Sequence, residues 1–200
     1  MKIETDSRIV LASSSPRRRE LLEMVGIPFE VLPSDVKENI ELHGNGFEEF
    51  VKTLAQTKAQ AVAERVDGAV VIGADTIVVY NGEIYHKPVS PEEAKQFLRD
   101  FSGKTHSVYT GVAIWCEGEW SLVCEETKVV FRKLDDELID WYVDSGDPMD
   151  KAGAYGIQTA GALLVERIVG DYYNVVGMPI AKVVNCLREL NLLALQGGDA

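Results

Sequence analysis

Two hydrophobic periods alternate along this chain, and the switches between them predict an α/β order. Residues 8–12 and 29–32 carry short apolar runs that read as strands. Between them Leu21, Leu22, Met24 and Val25 form an amphipathic run closed by Gly26. Ser15 stands as its N-cap and Pro16 at its first position, where the missing N–H costs nothing. A long helix is predicted over about 47–66, with Phe50, Val51, Leu54, Ala61 and Val62 at helical spacing. Strands over 69–72 and 76–80 flank Gly73-Ala74-Asp75. Asn81-Gly82, between Val78-Val79-Tyr80 and Glu83-Ile84-Tyr85, is a hairpin signal. Ser90-Pro91-Glu92-Glu93 opens the next helix as a capping box. Two long β runs, 105–116 and 120–132, meet at Glu117-Gly118-Glu119. A helix over 135–145, a strand over 162–169 and a closing helix over 179–190 follow, and 191–200 read as a frayed tail. An antiparallel meander inside an alternating order predicts the α/β class, a mixed twisted sheet with flanking helices, in a single domain over 1–200.

Composition narrows the function classes. A hydrophobic content of 46% in 200 residues is enough for a sizeable core. No apolar window reaches the roughly 18 residues of a membrane-spanning helix. The acidic opening Met1–Asp6 is unlike a secretion signal. The three cysteines, Cys116, Cys124 and Cys186, have no Cys-x-x-Cys spacing and read as reduced cytoplasmic thiols. A net charge of −12 argues against broad nucleic-acid binding, while leaving room for a local cationic cluster that holds a small anion.

Such a cluster is Ser13-Ser14-Ser15-Pro16-Arg17-Arg18-Arg19. Three arginines fall in the first turn of a helix, the positive end of its dipole, where each is unfavourable by about 0.3–1 kcal/mol. A bound phosphate resolves the conflict; a solvated helix start is the plainer reading. In Val70-Val71-Ile72-Gly73-Ala74-Asp75-Thr76 a buried strand runs into a carboxylate. Asp75 is therefore a candidate metal ligand or general base, against a turn aspartate. Glu38, in an acidic loop with Asp35 and Glu41, becomes of interest only if it pairs with Asp75 around Mg²⁺, which favours oxygen ligands and phosphate. Lys58 shares a helix face with Leu54 and Ala61–Val62. A lysine there needs an anionic partner or snorkels outward, and Lys87, before Pro88, is ordinary surface or a phosphate ligand. Gln158 ends Asp150-Lys151-Ala152-Gly153-Ala154-Tyr155-Gly156-Ile157, and its amide could read a base edge. Ser102-Gly103-Lys104-Thr105 imitates a P-loop but lacks the first glycine and follows a helix, so it is set aside. His106 beside it reads as a packing residue.

In this order Ala12-Ser13-Ser14-Ser15-Pro16-Arg17-Arg18, Glu38, Leu54-Ala55-x-x-Lys58-Ala59, Gly73-Ala74-Asp75-Thr76, Lys87-Pro88, Ser102-Gly103, Asp150 through Gln158 and Asn174-x-x-Gly177-x-Pro179 resemble the Maf family of nucleoside triphosphate pyrophosphatases, over about residues 8–190. The resemblance implies an inosine-triphosphatase-like architecture with a central cleft, and a cytoplasmic homodimer with no nucleic-acid or membrane partner. It implies cleavage of a nucleoside triphosphate between the α- and β-phosphates to clean nucleotide pools. Arg17, Thr76 and Gln158 match the dTTP/UTP subgroup. Asp75, Glu38, Lys58 and Lys87 would then be catalytic, and Ser13, Arg17, Arg18, Thr76 and Gln158 would bind substrate. Glu38 and Asp75 would hold Mg²⁺ or Mn²⁺. CTP and modified pyrimidine nucleotides are further candidate substrates. An inosine or xanthosine triphosphate pyrophosphatase, and a non-catalytic nucleotide sensor tied to cell division, are the other readings.

Overall fold

The apolar run Ile9-Val10-Leu11 and the long apolar run from Ala69 both become strands of one sheet. A computed structural model describes residues 2–36 and 46–196. The elements in chain order are β1 (Lys2–Glu4), β2 (Arg8–Leu11), α1 (Pro16–Met24), β3 (Glu30–Val31), α2 (Gly46–Ala63), β4 (Ala69–Tyr80), β5 (Glu83–Tyr85), α3 (Pro91–Phe101), β6 (Thr105–Cys116), β7 (Glu119–Phe131), α4 (Asp136–Asp144), β8 (Val165–Val169), α5 (Tyr172–Val176), α6 (Ile180–Glu189) and β9 (Ala194–Gln196). The main sheet runs β3-β2-β4-β6-β7-β8, with β5 on β4. It is mixed: β2 is parallel to β3 and to β4, whereas β4–β5 and β7–β8 are antiparallel. The predicted α/β class with a mixed sheet and helices is the architecture found.

Local signals set most element ends. The Ser90 hydroxyl accepts from the Glu93 N–H at 3.2 Å, and the Glu93 carboxylate accepts from the Val89 N–H at 2.6 Å, one residue before the cap. The Asp135 carboxylate accepts from the Leu138 N–H at 2.8 Å and starts α4. Asn81 and Gly82 both have positive φ and turn β4 into β5, with Tyr80 opposite Glu83.

Three expectations are corrected. Residues 69–72 and 76–80 are one strand, β4, because Gly73-Ala74-Asp75 is extended and buried rather than a turn. Ser15 occupies the N-cap position of α1, but its side chain makes no capping bond; its N–H instead donates to the Ser13 hydroxyl at 3.2 Å. The tail is not frayed throughout, since Ala194–Gln196 pairs antiparallel with Lys2–Glu4 and so satisfies its backbone groups. Residues 197–200 lie outside the described residues.

The chain divides into two compact units. The first comprises Met1–Asp75, Thr110–Glu125 and Gly177–Ala200, and the second Thr76–Tyr109 and Glu126–Val176. In the first, α2 packs Ala55, Ala59 and Val62 against Val10, Ala12, Val71 and Ala113. Small residues allow a close seat. A Cβ on Gly73 would lie 2.4 Å from the Ala55 carbonyl oxygen, and one on Gly111 would lie 2.5 Å from that of Val51.

The second unit is built on aromatic rings. His106 stacks on Phe101 at 4.4 Å between centroids, with Phe131 at 4.9 Å and Tyr155 at 5.4 Å edge-on. Its Nε2 is 2.8 Å from the Tyr155 hydroxyl, and Nδ1 has no hydrogen-bond partner among the described residues. His106 is thus the packing residue that the sequence indicated. Burial pushes its pKa from an ordinary 6.5 down to about 3. The folded protein therefore keeps it neutral while the unfolded chain takes up a proton below pH 6.5. The stability of the neutral state is present above pH 6.5 and is lost as pH falls toward 3, at about 1.4 kcal/mol per pH unit. Unfolding free energies from urea titrations at pH 7 and pH 5 should differ by about 2 kcal/mol on this account. His106→Gln should lose most of that difference; an unchanged pH slope in the variant refutes the assignment.

Candidate active site

β2 ends at Leu11, level with Ile72 of β4, and the Ala12 N–H still donates to the Ile72 carbonyl at 2.8 Å. β4 runs on past that end in the same direction. Its next residues therefore emerge at the carboxyl edge of the parallel pair, where α/β sheets place ligands. The strand period of two puts Val71, Gly73 and Asp75 on one face. That face is the one α2 covers, because the missing Gly73 Cβ would meet Ala55 and Ala59. On α2, Ala55, Lys58 and Ala59 share the facing side. Lys58 is thereby aimed at Asp75, and its ammonium donates to Asp75 Oδ1. The pair is nearly dry, with side chains 13% and 8% exposed. Sequence had placed Lys58 near the core face; the pair with Asp75 is the anionic partner that such a lysine requires.

The serine-arginine segment follows β2 in the same unit. Ser13 is buried, and its hydroxyl oxygen accepts from the Ser15 N–H and, at 3.1 Å, from Arg18 Nη1. Both bonds use its lone pairs, so the O–H remains to donate. Arg18 Nε donates to the Gly177 carbonyl at 3.0 Å, 159 residues away. Arg18 is thus oriented before any ligand arrives. Arg17 is half-buried in the first turn of α1. Arg19 is exposed and pairs with Glu23 at 2.7 Å, one turn on in the same helix. The unfavourable arginine run therefore divides, with one member neutralised at the surface and Arg18 held to Ser13 and Gly177.

In the second unit Thr76 follows Asp75 on β4 and is half-buried, while Lys87 and Gln158 are exposed. Glu38 and Glu41 lie outside the described residues, and Asp35 is an exposed loop residue 3.8 Å from Arg65. Ser102-Gly103-Lys104 is the turn from α3 to β6: Gly103 takes φ +67° and the Ser102 hydroxyl accepts from the Leu134 N–H at 2.8 Å. Asn174 is buried and donates to the Val108 carbonyl at 3.0 Å and to Thr127 Oγ1 at 2.9 Å, which ties α5 to β6 and β7. The three cysteines are free thiols, and burial raises that of Cys124 to about 11. Sequence reasoning missed the Gly177 carbonyl as the clamp on Arg18. The glycine-rich Asn174–Pro179 string marked the place but not the partner.

A buried carboxylate with an ammonium on one oxygen, together with an arginine held ready beside a serine hydroxyl, can take a phosphate-bearing ligand and accept a proton. Among the described residues no group of three or more histidine, cysteine, aspartate or glutamate side chains gathers to hold a metal. No described helix is long and apolar enough to cross a membrane.

Comparison with known proteins agrees on kinship. The family model described as Maf-like protein matches residues 8–190. A dTTP/UTP pyrophosphatase of Bacillus cereus (strain AH820) is 49% identical over 185 residues, covering 92% of this chain and 96% of its own. The dTTP/UTP pyrophosphatase of Bacillus cereus (strain ATCC 10987 / NRS 248) is 48% identical over 189 residues, covering 94% and 93%. A solved nucleoside-triphosphatase / dITP/XTP pyrophosphatase from Mycobacterium abscessus aligns over 95% of this chain and 98% of its own, at 14% identity and a TM-score of 0.41. On the family match and the identity to these relatives, the chain belongs to the Maf family.

Proposed function

We propose that this chain hydrolyses pyrimidine nucleoside triphosphates, dTTP and UTP foremost, to the monophosphate and pyrophosphate. The substrate follows the relatives that share about half its residues and are named dTTP/UTP pyrophosphatase. The observation that carries the chemistry is the buried Asp75–Lys58 pair at the carboxyl edge of β2 and β4. Ser13, Arg17, Arg18 and Lys58 bind phosphate oxygens, and Lys87 is the further phosphate ligand that the family resemblance implies. Each charge-assisted bond contributes roughly 1.5–3 kcal/mol. Asp75 accepts the proton of the water that attacks the α-phosphorus in line, and Lys58 orients that carboxylate through its bond to Oδ1. The cations neutralise charge on the departing pyrophosphate, so most of the rate gain is positioning and electrostatics. Gln158, with Arg17 and Thr76, distinguishes the base. Uracil and thymine offer both donor and acceptor on one edge, which one amide can match.

The donor chemistry of Asp75 fits a hard divalent cation such as Mg²⁺ or Mn²⁺. Lys58 occupies Oδ1 and leaves Oδ2, and Mg²⁺ needs only one or two carboxylates when phosphate completes its shell. Glu38 is the second carboxylate that the family resemblance implies. Such an ion supplies charge neutralisation on the phosphates. The same resemblance supports a cytoplasmic homodimer that cleans nucleotide pools.

A panel of nucleoside triphosphates, read by pyrophosphate release with Mg²⁺, Mn²⁺ or chelator, tests the reading. UTP and dTTP should turn over at least tenfold faster than ITP, XTP and GTP, and only with metal. Release from ITP and XTP alone would move the chain to another specificity. Tight binding without turnover under every metal would make it a sensor.

A further inference from the structure

The segment from Gly146 to Thr159 carries a polar network that the proposed chemistry does not use. Lys151 is buried, and its ammonium donates to the Asp147 carbonyl at 2.6 Å, to Asp147 Oδ1 at 3.0 Å and to Asp150 Oδ1 at 2.7 Å. The other carboxylate oxygen of Asp147 accepts from the Tyr142 hydroxyl at 2.5 Å and from Thr159 Oγ1 at 2.6 Å. The Tyr142 oxygen in turn accepts the Gly156 N–H at 3.0 Å. One carboxylate therefore joins α4, the 3-10 turn over 147–150 and the turn 156–159. Burial pushes the Asp147 pKa up, but the bonds from Thr159, Tyr142 and Lys151 outweigh it and hold the group ionised below its usual range.

The loop inside this network has little freedom. A Cβ on Gly156 would lie 2.5 Å from Lys151 Cε, and one on Gly161 would lie 2.8 Å from the Tyr142 hydroxyl. Gly153 and Ala154 both take the left-handed conformation, which Ala154 adopts only at a cost. The Gly153 N–H donates to the His86 carbonyl at 3.1 Å, next to Lys87. Gln158 sits on the turn between Gly156 and Thr159 and is itself exposed. Its backbone is thus clamped on both sides while its amide stays open.

We propose that Asp147 is a positioning residue for substrate selection: its carboxylate, joined to Lys151, Tyr142 and Thr159, fixes the 156–159 turn and so places the Gln158 amide. This rests on Gln158 reading the base. An amide that discriminates by hydrogen bonding needs its position fixed to within a fraction of an ångström. Asp147→Asn keeps the shape but presents an amide to donors that need two acceptor oxygens. Thr159→Val, at an exposed position, deletes the hydroxyl's bond to the carboxylate together with its 2.9 Å contact to the Gly156 carbonyl, and does not threaten the fold.

The test uses the full-length chain with UTP and GTP at a temperature well below its unfolding. Asp147→Asn should raise KM for UTP about tenfold with kcat within twofold, and should lower the UTP-over-GTP ratio of kcat/KM about tenfold. Thr159→Val should shift KM about threefold in the same direction, and Asp147→Glu should restore part of the ratio. Gln158→Ala is run beside them. If it relaxes the ratio while Asp147→Asn and Thr159→Val leave KM and the ratio within twofold, the positioning role is overturned and the base-reading role stands. If Gln158→Ala leaves the ratio unchanged, the base-reading role fails, and the positioning role fails with it whatever Asp147→Asn does.

Discussion

Asp75→Asn should release pyrophosphate from UTP about a thousandfold more slowly than the parent protein while binding the nucleotide nearly as well. The expectation follows from what the exchange removes. Asparagine keeps the size of the side chain and an oxygen that can still accept from Lys58, so the helix and strand stay in place. It loses the negative charge and the basicity. A general base contributes roughly 10²–10⁴-fold to a rate. The loss of a hard anionic oxygen for a divalent cation adds to the effect. On the proposed reading, binding is governed mainly by Ser13, Arg17 and Arg18, which the change leaves untouched. Arg18 in particular is fixed by Ser13 and the Gly177 carbonyl, independently of Asp75. Lys58 is left 13% exposed beside a neutral partner, an uncompensated charge that lowers stability, so both quantities are read at a temperature where the variant is folded. Single-turnover pyrophosphate release and calorimetric titration with UTP, in the presence of Mg²⁺, separate the two quantities. A variant that keeps more than a tenth of the parent rate removes Asp75 from the chemistry. A variant that loses binding as steeply as rate makes it a binding group only.

Several parts of this arrangement were legible in the residues alone. Ser90 with Glu93, Asp135, Pro16 and Asn81-Gly82 act over three or four neighbours, so local chemistry fixed the ends of α3, α4, α1 and the β4–β5 hairpin. The face that carries Lys58 was visible because helical spacing aligned it with Leu54 and Val62. What stayed hidden depends on partners far away in the chain. Gly73-Ala74 reads as punctuation between two strands because glycine usually marks a turn. Its presence inside β4 makes sense only once α2 is known to lie on it. The pairing of Lys2–Glu4 with Ala194–Gln196 joins two three-residue segments at opposite ends of the chain, too short for any period to register. The Asp147–Lys151 network hides for a related reason: aspartate, glycine and threonine at that density look like a solvated turn. Only burial of the lysine shows otherwise.

Gly73→Ala should therefore damage both stability and activity, although it adds only one methyl group. The new Cβ would stand 2.4 Å from the Ala55 carbonyl oxygen and 2.8 Å from both the backbone nitrogen and the Cβ of Ala59. Two of those three atoms are backbone, so no rotamer change relieves the contact and α2 itself must move. Overpacking of this kind costs about 1–3 kcal/mol. The upper part of that range is expected here because the clash is with a helix already seated at its closest approach, through Gly111 as well as Gly73. Lys58 lies between Ala55 and Ala59 on the helix, so the same displacement carries its ammonium away from Asp75. The carboxylate then loses its orienting partner, and kcat should fall at least tenfold even where the protein is fully folded. Urea unfolding followed by fluorescence gives the first number, and UTP turnover at low temperature gives the second. A Gly73→Ala protein with a lowered urea midpoint but parental kcat would show that α2 supports the fold without positioning the catalytic pair. One with both quantities unchanged would mean that the helix and strand can part without cost, which their present spacing rules against. Gly68→Ala serves as the control, since a Cβ there meets nothing within 4 Å. Its positive φ of 62° itself lowers stability, by roughly 1 kcal/mol or more, so this variant controls for turnover, which should not change.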